Sequence, residues 1–379
     1  MSKRVKSNYY IGVMSGTSID SIDAVLMEIQ SKSWSLLGTL SKKFPEQLRT
    51  DLLEVSRNKQ KIDLRELIEL DIKTGVAFAK CINALIKKAK INYKEINAIG
   101  LHGQTIMHHI HTKYPGSLQI GNPSTVAQIT GIGVVCDFRN PDITAGGEGA
   151  PLAPVFHSWL FGAKKKNRVV VNIGGIANIS FLGKKKSLSG YDIGPGNILM
   201  DVWASKHNHG NYDNNGNWAK GGKVNMGLLD SFKSDPFFKK KPPKSTGTDY
   251  FNLQWITDHC QQNTPDKLSP RDIQSTLLEL TTATIIDAIE AWPKSELAFC
   301  GGGVKNKHMI AILRKKLQVS LHSTTDWGID PEWVEAAGFA YLAKQRIENK
   351  RSYLGQTTGS RSKVMLGAIY EPPITNLRN

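Results

Sequence analysis

Apolar positions open the chain in two short runs, Tyr9 to Val13 and Ala24 to Ile29, separated by the glycine-centred stretch Ser15-Gly16-Thr17-Ser18. Short apolar runs bounded by turn residues predict strands, here two strands joined by a glycine turn. From Leu64 to Lys90, Ile68, Ile72, Val76, Ala79, Ile82 and Ile86 recur at spacings of three and four, which predicts one long helix. Ala98–Leu101 and Gly133–Cys136 read as further strands. At Arg168 the opening pattern returns: Val169 to Asn172 is mostly apolar, Gly174 and Gly175 break it, and Asn178 to Leu182 resumes it. The two copies share no strong identity, so they only suggest a repeat. Leu277–Trp292 predicts a second long helix. Glu296–Cys300 predicts a strand that runs into Gly301-Gly302-Gly303 and then a helix from about Asn306. Glu332–Arg346 predicts a last helix. Strands alternating with helices place the chain in the α/β class.

A length of 379 residues predicts two domains rather than one core. A hydrophobic content of 40% with 16 prolines fits a globular chain. The excess of 49 basic over 33 acidic residues gives a formal charge of +16. Its lysines fall in short scattered runs (Lys164–Lys166, Lys184–Lys186, Lys239–Lys241) with no interleaved aromatics, which excludes an RNA platform and predicts no nucleic-acid partner. They read as a solvated basic surface that also helps attract anionic ligands. Cys81, Cys136, Cys260 and Cys300 form no CxxC pair, so reduced thiols are expected, as in cytosol. Lys3, Arg4 and Lys6 precede an apolar run too short for a signal peptide. No stretch approaches membrane-spanning length, so no membrane association is expected and the expected location is cytoplasmic.

Five stretches can carry chemistry. The Ile11–Val25 turn reads either as a plain hairpin or as an anion cradle. In a cradle Gly16 lets backbone amides approach, Ser15, Thr17 and Ser18 add hydroxyls, and Asp20 and Asp23 hold Mg²⁺ or its waters. Asn172-Ile173-Gly174-Gly175-Ile176-Ala177-Asn178 offers the same two readings, and two such turns in one chain favour a two-jawed phosphate clamp. In GYDIGPGN, Asp192 stands among glycines ahead of an apolar run, at an expected strand end in a rigid loop, where a general base belongs; the alternative is a turn or cap aspartate. CGGGVKN joins a strand to a helix N-terminus through glycines that a nucleotide can approach. His102, Gln104 and Thr105, with Asp137, Arg139, Asp142 and Glu148, suit hydrogen bonding to a polyhydroxylated ligand or are polar loops without one. His108, His109 and His111 lack an acidic or cysteine partner and read as exposed loop histidines rather than a metal site.

Taken in order, GVMSGTSIDSID, HGQT, QIGN, DFR..DI..GGEGAPL, NIGGIANIS, YDIGPGN, PKSTG.DYFN and CGGG.KN run from about Ile11 to Ile369 and resemble the anhydro-N-acetylmuramic acid kinase family. That family belongs to the superfamily of sugar kinases, actin and heat-shock chaperone ATPases. The resemblance implies two ribonuclease-H-like domains around a central nucleotide cleft. Residues 1–138 with 356–379 would carry the first phosphate loop, and 139–355 the second loop, the catalytic aspartate and the nucleoside site. It implies a reaction in which the 1,6-anhydro ring of 1,6-anhydro-N-acetylmuramic acid is opened by water and O6 is phosphorylated by ATP with Mg²⁺. The product is N-acetylmuramic acid 6-phosphate, in cell-wall recycling. Carried over residue by residue, Asp192 is the base and Glu335, in EAAGFA, helps orient the water. Gly16, Thr17, Ser18, Ile19, Asp20, Ser21, Ile22 and Asp23 hold phosphate, with Asp20 reaching the metal through water. Gly174, Gly175, Asn178 and Gly194 form the second jaw, and Gly301, Gly302 and Gly303 lie near the nucleoside. The sugar falls to His102, Gln104, Thr105, Gln119, Arg139, Asp142 and Glu148. A homodimer is also implied. Two positions depart from the family pattern: Ser21 stands where glycine is usual, at a cost if φ is positive there, and Ile193 replaces a threonine hydroxyl.

Overall fold

The glycine turns fold as hairpins, and each hairpin starts a sheet. The computed structural model describes residues 7–31, 33–57, 62–163, 165–184, 187–263, 268–318 and 321–373. Lys3, Arg4, Lys6, Lys164, Lys185 and Lys186 of the basic runs lie outside the described residues. In chain order the strands are β1 (Tyr9–Met14), β2 (Ser21–Ile29), β3 (Trp34–Lys43), β4 (Ile96–Leu101), β5 (Gln104–His109), β6 (Gly116–Ile120), β7 (Val134–Cys136), β8 (Arg168–Ile173), β9 (Ile176–Leu182), β10 (Leu188–Pro195), β11 (Glu296–Cys300) and β12 (Leu321–Ser323).

The first sheet has the order β3-β2-β1-β4-β7, extended at its β7 edge by Ala368–Tyr370. The pairs β1/β2 and β2/β3 are antiparallel, whereas β1/β4 and β4/β7 are parallel. The second sheet, β10-β9-β8-β11-β12, repeats this order and these directions. An antiparallel meander continued by parallel strands on its first member is the ribonuclease-H-like arrangement. The repeat suggested by the two hairpins is therefore real at the level of topology.

In the first unit the Leu64–Ala89 helix covers one face of the sheet. Asp63 caps it, accepting from the Arg65 amide, and Lys90 ends it in the left-handed conformation. Ile11, Val13, Leu26, Phe78, Ile82, Leu85 and Ile99 are fully buried in the resulting core. The Val334–Ile347 helix packs against β1, β4 and β2. Here a Cβ on Gly12 would lie 1.8 Å from the Ala336 carbonyl oxygen, and one on Gly100 2.0 Å from that of Phe339. The small residues of EAAGFA thus bring a helix backbone directly onto two strand glycines.

This docking moves the expected domain boundaries. The compact units are 1–149 with 333–355 and 360–379, and 150–332 with 356–359. The sequence pattern and the family resemblance place the boundaries at 138/139 and 355/356. The Val334–Ile347 helix belongs to the first unit because its small face fits β1 and β4. Among the described residues no helix is long and apolar enough to cross a membrane, and the four cysteines form no disulfide.

Candidate active site

In the first unit the β1–β2 turn is braced from three sides. Ser15 Oγ donates to Gln104 Oε1 at 2.7 Å, and Gln104 Nε2 donates to the Gly16 carbonyl at 3.4 Å. Ile19 adopts φ 55° with its side chain wholly buried, and Arg49 Nε donates to its carbonyl at 3.0 Å. Arg49 Nη2 also pairs with Asp20 Oδ1 at 2.8 Å. Thr17, Ser18 and Asp20 are exposed. The Ile19 and Ile22 side chains sit in the core, so only their backbones can meet a ligand. Gly16 has open space: a Cβ there would find only Ser18 Oγ, at 3.9 Å. Packing within the protein therefore does not explain this glycine, whereas close approach of a ligand would. Ser21 begins β2 and has no positive φ, so its Cβ costs nothing. It donates to Asp23 Oδ1 at 3.1 Å, as Ser41 does at 2.6 Å.

The β4 end supplies His102. Its Nδ1 is 2.9 Å from the Gly103 carbonyl, and Arg139 donates Nη2 to its Nε2 at 2.9 Å. Burial, with the Arg139 charge second, holds His102 well below the usual imidazole range, so it is neutral. Arg139 Nη1 also donates to the Gly149 carbonyl at 2.8 Å. Glu335 projects from the Val334–Ile347 helix, where burial raises its pKa, opposed by Arg139 and reinforced by Asp23. Gln119 Nε2 donates to Thr105 Oγ1 at 3.3 Å across the β5–β6 hairpin.

Asp142 is fully buried and accepts the Gly149 amide at 2.8 Å, which braces the GGEGA loop from inside. In that loop Glu148 keeps a buried Oε2 with no protein partner. His108 and His109 are part of β5 rather than loop residues, and His108 Nδ1 meets Ser117 Oγ at 2.9 Å; β pairing with β6 overrode their polarity.

In the second unit the β8–β9 turn is held by the GPGN segment. The Gly196 and Ile198 amides donate to the Gly175 carbonyl at 2.8 and 3.1 Å, and the Asn197 amide donates to that of Gly174 at 2.8 Å. The turn's carbonyls are thereby occupied by the start of the Ile198–Lys206 helix. Asp192 lies within β10, not in a loop beyond a strand end. It pairs with Asn178 of β9, and the register breaks just after it, between Asp192 and Gly194. Such a bulge re-aims neighbouring side chains. Asp192 is 5% exposed, and its Oδ2 accepts the Thr246 amide at 3.0 Å. The Asp192 amide donates to the Lys244 carbonyl at 3.0 Å. Gly194, at φ 150°, sits against Phe238, where a Cβ would lie 2.8 Å from the ring. Ile193 belongs to the apolar core.

Among the described residues two other carboxylates are buried in this unit, and both cap local turns. Asp213 accepts the Trp218 and Ala219 amides, and Asp235 accepts the Phe237 amide and the Trp255 indole. The triple glycine divides by role. Gly301, at φ 82°, and Gly303 pack on the end of β8, where Cβ atoms would meet Asn172 Oδ1 at 2.4 Å and Ile173 Cγ2 at 2.3 Å. Gly302 has nothing within 4 Å and faces open space.

The predicted residues therefore divide between the two units. Gly16 to Asp23, His102, Gln104, Thr105, Gln119, Arg139, Asp142, Glu148 and Glu335 are in the first. Asp192, Gly174, Gly175, Asn178, Gly194 and Gly301 to Gly303 are in the second. Sequence reasoning missed Arg49, which no motif marks. PKSTG also carries Lys244, a buried cation 4.5 Å from the Phe237 ring whose Nζ donates to the Phe237 carbonyl. Burial lowers the Lys244 pKa and the Asp192 charge opposes that shift. Among the described residues no group of three or more His, Cys, Asp or Glu side chains could hold a metal ion.

A profile of the anhydro-N-acetylmuramic acid kinase family matches residues 8–372. The anhydro-N-acetylmuramic acid kinase of Xylella fastidiosa (strain Temecula1) is 42% identical over 367 residues, covering 95% of this chain and 96% of that protein. That of Pasteurella multocida (strain Pm70) is 43% identical over 366 residues, covering 96% of each. Among solved structures, a ROK family glucokinase from Streptomyces griseus in complex with glucose and AMPPNP superposes with a TM-score of 0.39 at 13% identity, over 89% of this chain and 99% of that one.

Proposed function

The chain belongs to the anhydro-N-acetylmuramic acid kinase family, and from that premise we propose how its own residues divide the reaction. The reaction is ATP-dependent opening of 1,6-anhydro-N-acetylmuramic acid to N-acetylmuramic acid 6-phosphate and ADP, in cell-wall recycling. Water attacks C1 from the face opposite O6. The C1–O6 bond breaks and its electron pair stays on O6, which takes the γ-phosphoryl group as the bond to ADP breaks. One water proton must leave. Asp192 takes it: it is a buried carboxylate held by the Thr246 amide, while Asp213 and Asp235 serve as caps. This is the observation that carries the assignment. A base set opposite the leaving oxygen is what attack on an acetal carbon requires.

The turn at Gly16–Asp23 and the turn at Gly174–Gly175 with Asn178 and Gly194 hold the phosphates. Gly302 leaves room for the nucleoside. Phosphoryl transfer depends on such positioning and on charge neutralisation. Mg²⁺ would supply part of that neutralisation. Its hard-cation preference for oxygen fits the exposed Asp20 carboxylate, reached through water, although Arg49 already pairs with that oxygen. Glu335 orients the water. Thr105, Gln119, Arg139 and Glu148 are assigned to the sugar, with His102 braced behind Arg139, Gln104 bracing the first turn and Asp142 bracing the Glu148 loop. The enzyme works in the cytoplasm as a homodimer.

The test uses heavy-oxygen water and the Asp192→Asn variant. Label should enter C1 of the 6-phosphate product, trapped early by borohydride, with none in phosphate. Asp192→Asn should lose about a hundredfold or more in kcat while still binding ATP. Label in inorganic phosphate, a closed anhydro ring in the product, or near-parent turnover by Asp192→Asn would refute the assignment.

A further inference from the structure

A row of polar side chains crosses the second sheet. Cys300 of β11 pairs with Asn172 of β8, Asn172 with Asn178 of β9, and Asn178 with Asp192 of β10. Directly paired residues share one face of a sheet, so this row lies on one side of it. Asn172 is the member at the phosphate turn, two residues before Gly174. It is 3% exposed, and it opens the Asn172–Asn178 stretch without a role of its own in the jaw.

Its amide has a fixed orientation. Cys300 Sγ donates to Asn172 Oδ1 at 3.6 Å, and that oxygen is also the atom on which Gly301 packs. The opposite edge of the amide, Nδ2, faces the turn: it lies 3.9 Å from where a Gly174 Cβ would be. Behind Cys300 stands His157, wholly buried, with Nε2 3.9 Å from the sulfur and Nδ1 2.8 Å from Ser180 Oγ. With the thiol proton on Asn172, the sulfur accepts from Nε2–H and Nδ1 accepts from the Ser180 hydroxyl. Donation then runs one way, from Ser180 to His157 to Cys300 to Asn172, and it ends with the Nδ2 protons pointed at the turn. Burial holds the His157 pKa down to about 3, so the ring is neutral, as this chain of donors needs.

We propose that Asn172 is a further nucleotide ligand, its Nδ2 donating to the terminal phosphoryl group of ATP, and that Cys300 and His157 are positioning residues that fix the amide. The inference rests on reading Gly174–Gly175 as a phosphate jaw. Through it a neutral amide reaches an anion from β8 itself, the strand that ends in the turn, without adding a charge beside Asp192.

The test measures binding of a non-hydrolysable ATP analogue and of ADP to the full chain, with steady-state kinetics. Asn172→Asp keeps the shape, removes the donor and sets a carboxylate against the terminal phosphoryl group. It should weaken the ATP analogue about tenfold to a hundredfold or more, the range for losing one hydrogen bond to a charged group with charge repulsion added, and ADP, which lacks that phosphoryl group, by less than about threefold. Cys300→Ser keeps a donor and should stay near the parent. Cys300→Ala leaves the amide free to rotate and should lose about fivefold or more in kcat/KM for ATP, within the range for a lost neutral hydrogen bond, with the sugar KM unchanged. Equal weakening of ADP and analogue in Asn172→Asp would overturn the proposal, as would identical behaviour of the two Cys300 variants. If Gly175→Val also binds both nucleotides as the parent does, the jaw reading itself has failed. If Gly175→Val weakens both while Asn172→Asp changes neither, only the Asn172 assignment falls.

Discussion

Gly12→Ala tests whether close docking of the Val334–Ile347 helix sets the position of Glu335. The added Cβ would lie 1.8 Å from the Ala336 carbonyl oxygen and 2.6 Å from the Ala340 amide nitrogen, both backbone atoms. No side-chain rotation can relieve that. Ordinary contact begins near 3.4 Å, so the helix must lift by about 1.6 Å. Overpacking of this kind costs about 1–3 kcal/mol. That is less than the roughly 5–15 kcal/mol of a typical fold, so the variant should still fold, with a Tm several degrees lower. Activity should suffer more, because Glu335 is adjacent to Ala336 and moves with it. A displacement of about 1 Å in a catalytic group can cost on the order of a hundredfold. The assay is kcat well below the variant's Tm, where the folded fraction is essentially one. Gly100→Ala should behave alike, since its Cβ would lie 2.0 Å from the Phe339 oxygen. Gly38→Ala is the control: its nearest neighbour is Leu85 Cδ1 at 3.4 Å, the end of a side chain that can yield. If Gly12→Ala keeps the parent kcat while its melting point falls, the helix does not govern the chemistry through Glu335 and the reasoning is wrong.

Gly16→Val should raise the KM for ATP, since the space now open at Gly16 would be filled, and Gly175→Val should do the same from the second turn; parent-like ATP binding in both would end the two-jaw reading. Ile193→Thr should lower Tm without raising kcat, because position 193 is packed in the apolar core and a hydroxyl there is buried; the destabilisation should be about 1–3 kcal/mol, read by denaturant melts. Stability should be insensitive to His157 above neutrality and fall as pH drops below about 6.5. There the unfolded imidazole takes a proton that the folded one, at about 3, refuses. His157→Gln, which cannot titrate, should flatten that acid slope by up to about 1.4 kcal/mol per pH unit, and an unchanged slope would show that other groups set it.

What the sequence made legible was local. The three-and-four spacing in Leu64–Lys90 found a helix that spans Leu64–Ala89, but not its buried face at the N-terminal end: Ile68 and Ile72 of the stripe are exposed, and Leu70, Ala77, Phe78, Cys81, Ile82 and Leu85 face the core. Glu296–Cys300 matched β11 to the residue, since a short apolar run stopped by glycines leaves little choice. Asp192 stood out because a carboxylate among glycines has few structural excuses. Its place within β10 did not, since Leu188-Ser-Gly-Tyr-Asp carries no alternation and is ordered by its pairing with β9. The supports of the site were invisible for the same reason. Ser15 and Gln104 are 89 residues apart, and His157 and Cys300 are 143 apart. Such contacts leave no periodicity, because each depends on where the fold returns the chain.

The two halves show why topology can repeat where sequence does not. Both sheets need a hairpin turn after their first strand, and both use glycine there. The first turn is stabilised by side chains from elsewhere: Gln104 and Arg49 hold its carbonyls, and Ile19 anchors it in the core at φ 55°. The second is stabilised by backbone, with three amides of Gly196–Ile198 donating to the Gly174 and Gly175 carbonyls. A Cβ on Gly196 would lie 2.3 Å from the Gly174 oxygen, so that glycine serves the turn rather than a ligand. The strand order fixes where each turn must be, but different residues meet the same requirement. Gly16, in the first of these turns, and Gly302, beyond β11, have open space around them, and steric variants there should affect nucleotide binding before they affect the fold.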